Sequence, residues 1–162
     1  MVAASVNVAT HYPLNWPTNP FHMGEVEVQK RIGVQEHVMG YAPKVVRPYM
    51  PDQHREFYQS QPFLVVAARD EHNNRMWSSL LFASDPDNVT SFVTSPDPTR
   101  LSMDARVLPG DALENALLPG SDLGMLGIEF AARRRNRVNG RLVAVSNENM
   151  TSPLLEFKVD QR

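Results

Sequence analysis

The sequence predicts a mainly β, α+β domain built as an antiparallel barrel, and three observations support this prediction. Short apolar or alternating runs recur from residue 63 to residue 159, and turn residues separate them. Only one helical pattern interrupts these runs, whereas parallel strands would need a crossover helix between each pair. Helical periodicity is otherwise confined to residues 25–62. A chain of 162 residues has the length of one domain with a single hydrophobic core.

Residues 1–24 are predicted to form an extended N-terminal arm, and residues 25–162 a single domain. The arm contains Pro13, Pro17 and Pro20, which neither a helix nor a central strand accommodates at that spacing. Its aromatic residues, including Trp16 and Phe21, are expected to pack onto the barrel or onto a partner subunit.

Three short helices are predicted after the arm. From Glu25 the apolar residues recur at helical spacing, and Gly33 and Gly40 punctuate the pattern into two helices. A third helix is expected to start at Pro51, where proline is tolerated, and to end near Pro62.

Six or seven strands are predicted in the rest of the chain. Residues 63–68 and 76–83 form a hairpin around turn residues 70–74. Further strands are predicted at residues 89–94, 101–108, 123–130, 141–145 and 155–159. One helix is expected to interrupt them, because Asp111 and Glu114 resemble a capping box and Pro119 and Gly120 end the element.

Composition excludes several protein classes. The chain has no cysteine, so disulfides, thiolate metal sites and cysteine nucleophiles are ruled out. No secretion signal or membrane-spanning run is evident, so a cytoplasmic location is expected. The sequence has no G-x-G-x-x-G fingerprint, phosphate-binding P-loop or G-x-S-x-G elbow, and its five histidines complete no metal-ligand pattern. We therefore predict no metal site and assign no catalytic residue.

Five arginines are concentrated between residues 130 and 147, where no acidic residue occurs. Removing these charges from the whole-chain net charge of −2 leaves −7, so one basic segment lies on an acidic body. We expect residues 133–141 to form a loop turning at Asn139-Gly140, which either binds a phosphate through guanidinium groups or is simply solvated.

Two further groups of polar residues are candidates. Trp77, Ser78 and Ser79 begin the second strand, where hydroxyl groups bind a polar cofactor or merely face solvent. Thr94, Ser95, Thr99 and Arg100 surround a proline-rich turn, which suits an anion pocket and equally a plain capped turn.

An ordered series of segments resembles the pyridoxamine 5′-phosphate oxidase-like FMN-binding split-barrel family, in particular its flavin-nucleotide-binding-protein branch. The segments are FHMGE (21–25), QKRIGV (29–34), MPDQHREF (50–57), WSSLL (77–81), SPD (95–97), and LGIE (126–129) leading into RRRNRVNG (133–140). The resemblance spans roughly residues 21–145, and the last segment is the most distinctive.

This resemblance implies a six-stranded antiparallel split barrel that dimerises and binds FMN at the dimer interface. It implies phosphate ligands from the second and third strands and the following turn, with the arginine segment near the cofactor or its nucleotide partner. The resulting candidate cofactor-binding residues are Trp77, Ser78, Ser79, Thr94, Ser95, Arg100, Arg133, Arg135, Arg137 and Asn139. Leu80 to Phe82 stand where true pyridoxamine phosphate oxidases carry basic residues, so vitamin B6 chemistry is not expected.

Three functions are consistent with these features, in decreasing order of support. The first is an FMN-dependent oxidoreductase, or its flavin-binding module, that accepts electrons from a reduced nicotinamide nucleotide and acts with or without a reductase domain. The second is a non-catalytic split barrel that binds flavin or haem. The third is a nucleic-acid-binding module, which one basic segment on an acidic body supports least. A homodimer is expected, and no membrane partner.

Overall fold

The computed structural model describes residues 21–70, 72–87, 92–146 and 154–159. Most of the predicted arm, at residues 1–20, lies outside the described residues, as does the first part of the predicted strand at residues 89–94.

Between residue 21 and the sheet the structure has three helices, as predicted: α1 (Met23–Arg31), α2 (Gln35–Val45) and α3 (Asp52–Gln59). Helix α1 begins two residues earlier than predicted because His22 caps it. The His22 Nδ1 accepts a hydrogen bond from the Gly24 amide at 3.0 Å, and the Glu25 carboxylate accepts one from the His22 amide at 2.9 Å. The spacing of His22 and Glu25 thus serves a capping box.

Seven strands in the described part of the chain form one antiparallel sheet, and six of them close into a barrel. The strands are β1 (Phe63–Arg69), β2 (Met76–Ala83), β3 (Val93–Thr94), β4 (Arg100–Arg106), β5 (Asp122–Glu129), β6 (Arg134–Ser146) and β7 (Leu154–Val159). Their order is β2-β1-β5-β6-β7-β4-β3, and pairing between β2 and β4 closes the barrel while β3 lies outside it. The predicted fold class and the predicted β1–β2 hairpin are confirmed.

The predicted helix after Asp111 is a single 3₁₀ turn, Ala112–Asn115. The Asp111 carboxylate accepts a hydrogen bond from the Leu113 amide at 2.8 Å, so the cap is present. Pro119 and Gly120 follow shortly after this turn, so the segment is too short to add the further hydrogen-bonded turns that would stabilise an α-helix. Buried Leu113 and Ala116 make the turn part of the core.

The arginine-rich segment is a strand, and the prediction of a loop was wrong. The chain reverses earlier, where the Arg133 amide donates to the Phe130 carbonyl at 3.3 Å and Arg133 has a φ of +54°. Residues Asn139 and Gly140 lie inside β6 instead of forming a turn. Val138, Gly140 and Leu142 alternate into the interior, and this burial holds the segment extended.

Helix α3 is anchored to the barrel at Gly127. A Cβ at Gly127 would lie 2.6 Å from the Phe57 ring, so the helix approaches β5 closely only because this residue is glycine. The Arg134 guanidinium lies 4.6 Å above the Phe57 ring and donates to the Gln53 carbonyl at 3.0 Å. Arg134 therefore fastens α3 to the start of β6.

Replacing Gly140 should destabilise the fold strongly. A Cβ there would lie 2.1 Å from the Lys158 carbonyl oxygen, which is a backbone atom of β7. We expect Gly140→Ala to lower the free energy of unfolding by at least about 2 kcal/mol. Gly40→Ala is the control, because a Cβ at this α2 position meets nothing within 4 Å and should stabilise the protein by about 0.5–1 kcal/mol. Urea unfolding measures both changes, and equal stability of the two variants would contradict the close approach of β6 and β7.

His54 should make the fold sensitive to mild acid. Burial, and then the positive charges of Arg134 and Arg47, lower its pKa below the ordinary value of 6.5. Because the unfolded chain binds the proton more readily than the folded chain does, protonation of His54 favours unfolding. The stability that the protein has with a neutral His54 is therefore complete above pH 6.5 and is lost as the pH falls toward the lowered pKa. Melting temperatures between pH 7.5 and about 5.5 should therefore fall less in His54→Gln than in the wild type, since carboxylates stay ionised in that range. Parallel curves for the two proteins would contradict this role.

Candidate cofactor-binding groove

Three neighbouring strands present aligned side chains on the outer face of the barrel. Pairing of β1 with β5 and of β5 with β6 places Val65, Leu126 and Arg137 in one row across the strands. The next row consists of Ala67, Gly124 and Asn139. Side chains alternate between the two faces of a strand, so these residues lie opposite the buried core.

A groove of about 870 Å³ follows this outer face, which is within the usual size range of small-molecule sites. Its lining combines apolar side chains with two guanidinium groups, one amide and one carboxylate. The lining residues are Val65, Ala67, Met76, Asp122, Leu123, Gly124, Met125, Leu126, Arg135, Arg137, Asn139 and Gly140.

Arg135 and Arg137 supply the positive charge of the groove. They lie two residues apart on the same face of β6, so their Cα atoms are separated by about 7 Å. Both are exposed, and neither side chain makes an ion pair or hydrogen bond with another residue that the structure describes. Their donors are therefore available for an anionic ligand.

The two flanking arginines of β6 are engaged within the protein. Arg134 lies on the opposite face of the strand, above Phe57. Arg141 forms an ion pair with Asp122, in which its Nε and Nη2 lie 3.0 and 2.9 Å from one carboxylate oxygen. The alternation of β6 thus turns Arg134 away from the groove, whereas Arg141 shares the outward face of Arg135 and Arg137 and is neutralised by Asp122.

The middle of the groove has a bare backbone floor. Leu123 and Met125 line it although their side chains are buried in the core, so they contribute main-chain atoms. Gly124, between them, carries no side chain, and its neighbour Ala67 carries only a methyl group. A partly apolar surface without large side chains therefore lies beside the two guanidinium groups.

The predicted residues on β2 are divided between its two faces. Ser78 pairs with Ala67 and is exposed on the face that bears the groove, just beyond its lining residues. Trp77 and Ser79 point the other way, and the Ser79 hydroxyl donates to the Asp111 carboxylate. The Ser79 hydroxyl thus fastens the 3₁₀ turn to β2, while Trp77 is 40% exposed.

The predicted residues around the proline-rich turn form a separate cluster. Ser95 is buried, and Arg55 donates to its hydroxyl from Nε at 3.0 Å and to its carbonyl from Nη2 at 2.8 Å. Arg100 Nε lies 3.5 Å from an Asp97 carboxylate oxygen, and Thr94 is exposed. The polar groups of this turn are therefore largely occupied by one another.

The structure brings together some of the predicted cofactor-binding residues and separates others. Arg135, Arg137 and Asn139 meet in the groove, and Arg133 is exposed at the turn that precedes them. Thr94, Ser95 and Arg100 lie at the Arg100 end of β4, whereas β2 meets β4 at its Arg106 end. The β2 hydroxyls and the β3–β4 turn are consequently far apart on the barrel.

Sequence reasoning missed the β1 and β5 side of the groove. Val65, Ala67 and Leu126 read as ordinary strand residues, because their outward direction depends on which face of the sheet is buried. Gly124 was a detectable signal, since a glycine inside a strand often marks a close approach by a ligand or another backbone.

Among the residues that the structure describes, no three histidine, aspartate or glutamate side chains gather as a metal site would require. None of the described helices has the length and apolarity needed to cross a membrane.

Comparison with solved structures places the chain in the split-barrel fold. A Lactobacillus delbrueckii protein that carries the provisional name pyridoxamine 5′-phosphate oxidase superposes with a TM-score of 0.50 at 12% identity, over 71% of this chain and 93% of that chain. An FMN-binding protein from Syntrophomonas wolfei superposes with a TM-score of 0.47 at 10% identity, over 86% of this chain and 95% of that chain. No protein-family model and no curated protein matches the sequence. The superposition on the L. delbrueckii protein, together with the closed six-stranded barrel, confirms the resemblance to the split-barrel family at the level of the fold.

Proposed function

We propose that this chain is an FMN-binding flavoprotein that passes electrons from a reduced nicotinamide nucleotide through the bound flavin. The observation that carries the proposal is the groove on the split barrel, where Arg135 and Arg137 lie unpaired among the described residues beside an apolar floor. A ligand that fits must be anionic at one end and flat and largely apolar at the other.

The residues present match the two ends of FMN. Guanidinium groups bind phosphate through paired, charge-assisted hydrogen bonds, and Arg135 and Arg137 offer several donors on one strand face. The Asn139 amide offers both a donor and an acceptor in the next row, suited to the polar edge of the ring system. Ala67 and Gly124 in that same row leave space for the ring, and Val65 and Leu126 supply apolar surface between the ring and the phosphate.

A bound flavin would supply the electron or hydride transfer, which accounts for a site with no evident catalytic side chains. The role of this chain's residues is then to hold the phosphate, orient the ring and exclude water from it. The provisional name of the L. delbrueckii protein supports an oxidoreductase class. Vitamin B6 is not proposed as the substrate, because Leu80 and Phe82 leave the neighbouring surface of β2 apolar.

We further propose that the protein is a homodimer that buries an exposed aromatic cluster. The Phe63 ring lies 6.3 Å from the Phe82 ring and 6.4 Å from the Phe130 ring, measured between centroids. Phe130 is 75% exposed, and Leu80 beside Phe82 is 38% exposed. An apolar patch of this kind on a small domain is typical of a subunit interface.

Loss of either groove arginine should weaken FMN binding. A charge-assisted hydrogen bond to phosphate contributes about 1.5–3 kcal/mol, so Arg135→Ala and Arg137→Ala should each raise the dissociation constant roughly ten- to a hundredfold. Quenching of flavin fluorescence during titration measures the constant. Arg31→Ala, which removes the same charge from an exposed position on α1, is the matched control and should bind FMN like the wild type.

Two results would contradict the flavin proposal. One is an absence of saturable FMN binding by the wild type together with tight uptake of haem, which would favour the tetrapyrrole alternative. The other is normal FMN affinity in both arginine variants together with a loss of DNA binding that depends steeply on salt. If instead Thr94→Ala and Arg100→Ala alone lose FMN, the phosphate is held at the β3–β4 turn.

Disrupting the aromatic cluster should convert the dimer to a monomer. A charge at the highly exposed Phe130 turn position can be solvated in the monomer but not in a buried apolar interface. Light scattering should therefore give twice the chain mass for the wild type and the single chain mass for Phe130→Glu. Val28→Glu, at an exposed apolar position on α1, should remain dimeric. A monomeric wild type that still binds FMN would contradict the interface.

A further inference from the structure

Three glycines lie inside the paired strands β5 and β6, and the fold requires two of them. A side chain at Gly127 would collide with Phe57, and one at Gly140 would collide with the backbone of β7. Each of these glycines is explained by a close approach within the protein.

Gly124 has no such explanation. A Cβ built there meets a single neighbour, the Asn139 Oδ1 at 3.4 Å, which is an ordinary contact distance. Its backbone φ also lies outside the left-handed region that favours glycine. A strand of this barrel would accept alanine or valine at this position, and a β-branched residue would suit it better than glycine.

The open space at Gly124 faces the groove. Its row continues on β1 with Ala67, so two of the smallest side chains adjoin at the centre of the floor. The next row carries Leu126 and Arg137, and Arg135 lies one row further in the same direction. In the opposite direction the Asp122–Arg141 ion pair borders the groove. The floor thus carries only small side chains on β1 and β5 at its centre, is cationic on one side and is bordered by a neutralised ion pair on the other.

We propose that Gly124, together with Ala67, is the seat on which the planar ring of the ligand lies, and that Gly124 determines which ligands the groove admits. This inference rests on the proposed flavin function and identifies where the ring binds relative to the phosphate. The ring stacks on the bare backbone of β5, while Arg135 and Arg137 hold the phosphate one to two rows away. Branched side chains at position 124 exclude planar ligands without touching the anionic end.

Two ligands distinguish the contribution of the ring seat to binding from that of the phosphate site. Riboflavin has the ring but no phosphate, and FMN has both. We expect Gly124→Val to weaken binding of riboflavin and FMN alike, each by at least about tenfold, because the side chain occupies the space of the ring. Arg137→Ala should weaken FMN by a similar factor while leaving riboflavin within about twofold of the wild type, because only the phosphate contact is lost.

Matched variants control for folding. Gly124→Ala adds a single methyl group and should melt at or above the wild-type temperature, with an intermediate loss of riboflavin affinity. Ala67→Val changes the other half of the floor, and should reproduce the loss of both ligands if the floor is the seat. Thermal melts and light scattering on each variant confirm that it remains folded and of wild-type mass.

Each outcome of the titrations shows whether the open space at Gly124 serves to bind the ring. Normal riboflavin affinity in a folded Gly124→Val, with FMN binding intact in the wild type, would overturn the seat alone. A change of that variant from dimer to monomer would also overturn it, since the space would then receive a partner strand. An absence of FMN and riboflavin binding by the wild type would overturn the proposed function and the seat together.

Discussion

Pairing between β5 and β6 is the constraint on which the rest of the structure depends. The two strands run together from Asp122 opposite Arg141 to Glu129 opposite Arg134. This register buries Leu123, Met125 and Val138 in the core, and the same register turns Gly124 and Arg137 outward. A shift by one residue would bury the groove arginines and expose the core, so the pairing is strongly specified. The same hydrogen-bonded pairing of β5 and β6 therefore places the core on one face of the sheet and the groove on the other.

The arginines of β6 show how one basic segment serves two purposes. Arg134 and Arg141 contribute to the fold through a ring contact and an ion pair. Arg135 and Arg137 make no such contact with the described residues, and like charges two residues apart repel one another weakly. A pair of unpartnered cations beside a bare floor is easier to understand as a binding surface than as a stabilising feature.

Much of the fold was predictable because its signals are local. Short apolar or alternating runs identified the strands, and proline and glycine identified their ends. The arginine segment was misread because Asn139-Gly140 is a strong turn signal when read locally. Burial of Gly140 against β7 overrides that preference, and this contact joins residues distant in sequence.

The sequence by itself determined the class of the domain, the number and order of its elements, and the concentration of positive charge near residue 135. It also pointed to Arg135, Arg137 and Asn139, although not to their arrangement on a strand. Only the tertiary structure decided which arginines face outward, that Val65 and Ala67 complete the groove, and that Ser79 and Ser95 are engaged within the protein. The physical reason is that a side chain's direction depends on which face of its strand is buried, and burial is set by strands far apart in the chain.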